Sequence, residues 1–329
     1  MSVFAGKKAA KKRLWFSLKL ATAAAALAIL FYFRMIRLDA LALLAGHPWT
    51  LLIAGLIFFC TLPLGALRWR ILLAVQGIVL PFWQIYNICA IGALISVVFP
   101  GAVSGDALRF LYVAAAVPRR RTILGVTLVA DRLLGLLGLG TVAATAIALQ
   151  WPRVAASPGM KSVAVPIVVG FVVALAGGGV LFFVLDKLPF ERLGLRQRGS
   201  LLRILNTVID VAVLYRRAAG PLLRAFALSL VIQACSIAAV VLLADSMELS
   251  NLMGPLQYSL AGSLAILASA IPVTPGGIGV GEGAFQHLCL LLSNTAAPYA
   301  SAFFAFRGLT IAVLLAAIPS LIAYRSRSK

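Results

Sequence analysis

IPVTPGGIGVGEGAF, residues 271–285, sets two prolines and five glycines around one glutamate, and apolar sequence flanks it on both sides. Proline removes a helix hydrogen bond and glycine weakens the helix it sits in, so the stretch interrupts any helix that enters it. A bilayer holds no water to satisfy the backbone groups that such an interruption frees. Broken helix at membrane depth therefore persists only where protein or a wet cavity covers it. The stretch is either a loop outside the membrane or part of a buried site.

That a bilayer is the relevant solvent follows from the rest of the chain. Its 329 residues are 62% hydrophobic, and the mean hydropathy is +1.05, far from the mix of a soluble domain. Several runs reach the roughly 20 apolar residues needed to cross a hydrocarbon core of about 30 Å. The chain reads as an all-α polytopic integral membrane protein. Its net charge of +20 sits between the apolar runs, as the positive-inside rule requires, so lipid and not nucleic acid is the expected acidic partner. Cys60, Cys89, Cys235 and Cys289 stand singly in apolar segments and read as buried thiols. The basic N-terminus, Lys7 to Arg13, precedes an apolar run too long for a signal peptide and reads as an uncleaved first helix.

Candidate spans fall at about 15–33, 49–67, 122–149, 163–185, 225–244 and 299–323 by the apolar-run rule. Two shorter, interrupted runs remain, 84–117 and 253–293. If each is a re-entrant hairpin that enters and leaves on one side, both termini are cytoplasmic, and 21 of the 29 basic residues face the cytoplasm. These include Arg68, Arg70, Arg119 to Arg121 and those of the loop 186–224. Only Arg34, Arg37, Arg153 and Lys161 fall outside, while Lys19 lies near enough to its helix end to snorkel and Arg109, Arg132 and Arg307 lie at membrane depth. Complete crossings would put the 186–224 loop on the outer face, against the rule. The first hairpin thus enters from the cytoplasm and the second from the outer side. Within the loop, Arg203, Asn206, Thr207, Asp210 and Arg217 share one helical face opposite an apolar one. Both an interfacial amphipathic helix and a cytoplasmic helix packed on the bundle fit that pattern.

The two interrupted runs share a motif. FPGAVSGDALRF, residues 99–110, carries a Pro-Gly break followed by Gly105, Asp106 and Arg109; the second run carries Pro275, Gly276 and Gly277, then Gly281 and Glu282. Arg132 follows Pro100 by 32 positions, and Arg307 follows Pro275 by 32. Hairpins entering from opposite faces make this an inverted repeat, the plan of many secondary transporters, with the site at the repeat interface near the midplane. A half-helix restarting near Gly105 or Gly281 points its positive N-terminal end into the membrane, where it suits an anion such as phosphate. Arg132 and Arg307 lie about 12–15 Å into their helices, where charge is retained for pairing or for function. Asp106, Asp131 and Glu282 match the three arginines in number, so the empty cluster is expected to be neutral. The expected substrate-binding set is Gly105, Asp106, Arg109, Asp131, Arg132, Gly276, Gly277, Gly281, Glu282 and Arg307, with Arg132 and Arg307 facing one polar cavity.

Structural explanations fit some of the same residues. Glycine-rich stretches also arise as kinks that let helices pack closely. Asp131 and Arg132, being adjacent, point in different directions and would each tie neighbouring helices together. Asp106 and Glu282 would serve as helix caps. Gly135, Gly138 and Gly140 read as a packing face. His47 and His287 are far apart in the chain and without ligand-like companions, so no metal is expected. There is no Walker loop, Rossmann fingerprint or nucleophile–base set, so no cofactor, no ATP-driven transport by this chain and no enzymatic chemistry are expected.

At FPGAVSGDALR, at ADRLLGLLGL (130–139), at the opening stretch and at FRGLT (306–310), the chain resembles the lysylphosphatidylglycerol synthase transmembrane family of flippase-like domain proteins. Its members include proteins associated with hopanoid biosynthesis and with polyprenyl-linked sugars. The family usually carries Gly-Glu before the first arginine and Glu-Arg in the next helix; here these are Gly105-Asp106 and Asp131-Arg132. The chain ends just after its last span, so the resemblance implies the lipid-translocating membrane part alone, residues 1–329, without the soluble synthase domain. It implies a translocator of an anionic or phosphate-bearing lipid, such as a lipid-linked phosphate, in a bacterial cytoplasmic membrane. The alternative is a non-catalytic membrane partner of a lipid-biosynthesis or polymer-synthesising enzyme.

Overall fold

Leucine, valine, alanine and isoleucine dominate the chain, and in a bilayer only helix or closed barrel satisfies their backbone. The computed structural model describes residues 24–25, 27–98, 104–184, 211, 213–247, 249–271 and 274–316, and among them all regular structure is helical. Four stretches are long and apolar enough to cross a membrane: Pro48–Val75, Arg121–Leu149, Pro158–Gly179 and Ala219–Asp245. The protein is an integral membrane protein with several shorter helices beside these four. The first stretch comprises α1 (Pro48–Phe59) and α2 (Thr61–Val75), which meet at Cys60, and Pro63 cannot donate across the junction. The other three are α5 (Arg121–Leu149), the core of α6 (Pro158–Val184), and α7 (Ala219–Asp245).

The interrupted runs form two helix pairs. α3 (Phe82–Val98) and α4 (Ser104–Ala116) make the first; α8 (Pro255–Ser269) and α9 (Val280–Ser293) make the second, and α10 (Ala300–Ala316) follows. α8 starts with Pro255 in the first helical position, where no N–H is needed, and Gln257 Oε1 accepts from Gly254 N at 2.7 Å. α9 ends at Asn294 in the left-handed conformation. Each pair has its own core. Trp69, Leu73, Ile85, Tyr86, Val113 and Leu124 bury one between α2 and the first pair; Tyr258, Phe285, Tyr299 and Phe303 anchor the other around the second. α7 packs on α1, α2, α5 and α8 and so joins the halves. The bases of the pairs lie at opposite ends of α7. Its beginning packs near the end of α2, where Arg120 donates to the Gln76 carbonyl at 2.9 Å, and α8 follows directly from its end.

Two boundaries differ most from the sequence-based expectation. The span expected at 49–67 continues through Val75, because the charge of Arg68 is met inside the bundle instead of ending the helix. The span expected at 225–244 begins at Ala219, with Pro221 in the first turn, where it costs no hydrogen bond. The end of the expected 186–224 loop is therefore α7. Val211 and Tyr215 are buried against Leu72, Leu134 and Ala225, and the Tyr215 hydroxyl donates to the Leu72 carbonyl at 3.2 Å. This described part packs on the bundle. Residues 15–23 and 317–323 of the terminal spans, Pro100, and Arg203, Asn206, Thr207 and Asp210 of the amphipathic face lie outside the described residues.

Candidate functional site

Asp131, on α5, is the centre of the first cluster. Its side chain is only 2% exposed; Oδ1 accepts from Arg68 Nε on α2 at 2.8 Å, and Oδ2 from Arg109 Nη2 on α4 at 3.1 Å. Arg109 reaches back one helical turn to Asp106 at 3.2 Å, and Asp106 also accepts from Arg132 Nε at 2.5 Å. The residues on α5 do diverge, Asp131 inward to two arginines and Arg132 toward the tip of the first pair. Arg109 stacks over the Trp69 ring at 4.1 Å, and Arg68 Nη1 donates to Ser229 on α7 at 3.0 Å. A membrane helix is penalised by about 2.5–3.5 kcal/mol for each Arg or Asp at its centre. The cluster is sustained because each carboxylate is shared between two guanidinium groups.

The second cluster repeats one element of the first. α4 begins at Ser104 and α9 at Val280, so Asp106 and Glu282 are each the third helical residue, one position after Gly105 and Gly281. Each carboxylate binds through Nε the arginine of the following helix, Arg307 meeting Glu282 at 2.5 Å. Glu282 is fully buried and also accepts from Gly279 N at 2.8 Å, which caps α9. Arg307 in turn donates to the carbonyls of Gly276 at 2.6 Å and Gly277 at 3.1 Å. Gln286 ties α9 to the start of α10, the helix that carries Arg307, by donating to Ala297 O and accepting from Ala300 N, both at 2.8 Å.

A cavity of about 670 Å³ lies between the tips of the two pairs. Arg68, Gly105, Asp106, Arg109, Asp131 and Arg132 line one side, and Ser269, Thr274, Gly276 and Gly277 line the other. Two smaller apolar cavities adjoin it. One of about 530 Å³ shares Leu136 and Ala270 with it and runs between α5, α6, α8 and α9; the other, about 250 Å³, shares Ile266, Ser269 and Gly276 and is walled by Phe58, Phe303, Phe306 and Arg307.

Seven of the ten expected site residues therefore line the polar cavity, and three expectations need correction. Arg307 lines the adjoining apolar cavity and not the one that Arg132 lines, because Glu282 and the glycine carbonyls hold its guanidinium. The start of α9 is closed to the polar cavity: Gly281 and Glu282 are buried, and a Cβ on Gly281 would strike Ser269 Oγ and the Phe303 ring. Glycine at 281 answers packing, not the approach of a ligand. Arg68, read as a cytoplasmic charge, belongs to the ion-pair cluster and lines the cavity, and Trp69 and Ser229 hold its arginines in place. The readable signal was that apolar sequence resumes after Arg70, so that Arg68 lies about 10 Å from the end of α2. The expected packing face divides likewise. Gly138 and Gly140 meet Ser229 and Phe171, whereas Gly135 lies beside the Arg68 guanidinium and lines the cavity. Among the described residues no group of three His, Cys, Asp or Glu side chains could hold a metal ion.

A family model described as the lysylphosphatidylglycerol synthase TM region matches residues 14–318, nearly the whole chain. Neither a curated protein nor a solved structure matches it.

Proposed function

The chain belongs to the family of the lysylphosphatidylglycerol synthase TM region, and on that premise we propose that it is a lipid translocator, moving an anionic or phosphate-bearing lipid between leaflets without catalysing a reaction. One observation carries the reading: a guanidinium-lined cavity between two broken helix pairs adjoins two apolar cavities that share lining residues with it. A lipid has the same division, a charged headgroup beside hydrocarbon. Free phosphate would need the arginines but not the apolar flanks.

In this reading the two pairs are oppositely oriented re-entrant hairpins of an inverted repeat, set among about six spans. Their helices have 17, 13, 15 and 14 residues, which gives about 20–26 Å each, short of a core of about 30 Å. Their bases at opposite ends of α7 and their tips on one cavity support entry from opposite faces. The termini are then cytoplasmic in a bacterial inner membrane.

Reconstitution tests this. Purified protein in liposomes should move a fluorescent phosphatidylglycerol to the reduction-protected leaflet, and Arg132→Gln should slow the movement by roughly tenfold, the rate equivalent of about 1.4 kcal/mol. If the wild-type protein moves no anionic lipid unless a lipid-modifying enzyme is added, the chain is that enzyme's non-catalytic membrane partner and the reading fails.

A further inference from the structure

Charge in the polar cavity does not balance. Arg68 meets Asp131, Asp131 meets Arg109, Arg109 meets Asp106, and Asp106 meets Arg132, so among the described residues these ion pairs join three arginines to two carboxylates. Three guanidinium groups face two carboxylates, and among the described residues no other charged residue lines the cavity. The corresponding pair of the second half, Glu282 and Arg307, is neutral and turned onto its own backbone. Donors are in surplus as well, since Arg109 Nε is buried without a hydrogen-bond partner. The Arg132 side chain is 51% exposed, whereas that of Asp131 is 2% exposed. Arg132 is thus the most accessible charge of the cluster, and Asp106, at 14%, is far less exposed.

Taking the ligand as a lipid, which rests on the translocator reading, we propose that the cavity accepts a headgroup with one net negative charge, a phosphodiester, and rejects one with a net positive charge. An aminoacylated phospholipid brings ammonium groups that require carboxylates, and both lining carboxylates are already shared between two arginines. A monoanion brings the cavity to neutrality. A zwitterionic headgroup leaves the excess charge in place.

The test is competition for the full chain in lipid nanodiscs holding equal phosphatidylglycerol, phosphatidylcholine and lysylphosphatidylglycerol, with bound lipid counted by native mass spectrometry. Phosphatidylglycerol should be retained roughly tenfold over each of the others. Arg132→Gln equalises the charges and should reduce that preference to about twofold or less. Arg132→Lys keeps the charge and should keep the preference, which separates loss of charge from loss of fold. Asp106→Asn doubles the excess and should shift retention toward phosphatidic acid, whose phosphomonoester takes a second charge. Retention of lysylphosphatidylglycerol equal to that of phosphatidylglycerol, an unchanged preference in Arg132→Gln, or displacement of the lipid by millimolar inorganic phosphate would each overturn the proposal. Preference without transbilayer movement removes the translocator reading and leaves this inference standing; movement without preference does the reverse.

Discussion

Asp131 accepts from two arginines while almost wholly shielded from solvent, so its charge holds both guanidinium groups in a medium of low dielectric. Removing one partner of a buried ion pair strands the other, at a cost of about 3–5 kcal/mol, whereas replacing a whole buried set by apolar groups is often neutral. Asp131→Asn should therefore destabilise the protein by about 3–5 kcal/mol, measured as loss of folded protein during a thermal ramp in detergent. Glu282 is as deeply buried but also has backbone N–H and a single arginine as partners, so Glu282→Gln retains hydrogen bonding and should cost less. Equal losses at the two sites would remove the argument that sharing between two arginines makes Asp131 special.

At the scale of an element, the break between α8 and α9 is held by three glycines with positive φ, Gly276 at 59°, Gly277 at 70° and Gly279 at 83°. They are not equivalent. A Cβ on Gly277 would strike the Ser269 carbonyl, and one on Gly281 would strike Ser269 Oγ and Phe303, whereas one on Gly276 meets only Arg307 Nη1 at 3.9 Å. Gly276→Ala should cost only the left-handed backbone penalty of about 1–2 kcal/mol. Gly277→Ala adds a collision with backbone to that penalty, and Gly281→Ala overpacks a filled site for about 1–3 kcal/mol. The expected order of thermal stability is wild type, then Gly276→Ala, then Gly277→Ala as the least stable. A Gly277→Ala protein as stable as Gly276→Ala would mean that the break relaxes freely and does not form a fixed cavity wall.

The whole molecule is two helix-pair cores joined by α7, with basic residues concentrated where α2 ends and α5 and α7 begin. Arg119 and Arg120 are exposed at that end, and Ser157 lies beyond the far end of α5. The positive-inside rule puts the basic end in the cytoplasm. In a background without native cysteines, a cysteine at Arg119 should resist an impermeant maleimide in intact cells, and one at Ser157 should react. Labelling of both from outside would overturn the orientation and, with it, the assignment of the first hairpin to the cytoplasmic face.

Helical class and most span positions were legible in the chain because apolar run length and the lack of water in a bilayer leave few alternatives. The breaks were legible for a local reason: Pro-Gly and positive-φ glycine leave marks in composition that do not depend on neighbours. The equal 32-residue spacing after Pro100 and Pro275 marked Arg132 and Arg307 as counterparts, and in the structure each binds a carboxylate, Asp106 and Glu282 respectively. Partnership across the bundle was not legible. Arg68 looks like any arginine at the end of an apolar run until α2 packs beside α5 and brings Asp131 to it at 2.8 Å. Spacing likewise suggested that Arg132 and Arg307 play like roles, but the carbonyls of Gly276 and Gly277 hold Arg307 away from the polar cavity. The balance of charge in the cavity depends on which side chains share a space, and tertiary packing alone sets that, because Coulomb energy follows distance through space and not separation along the chain.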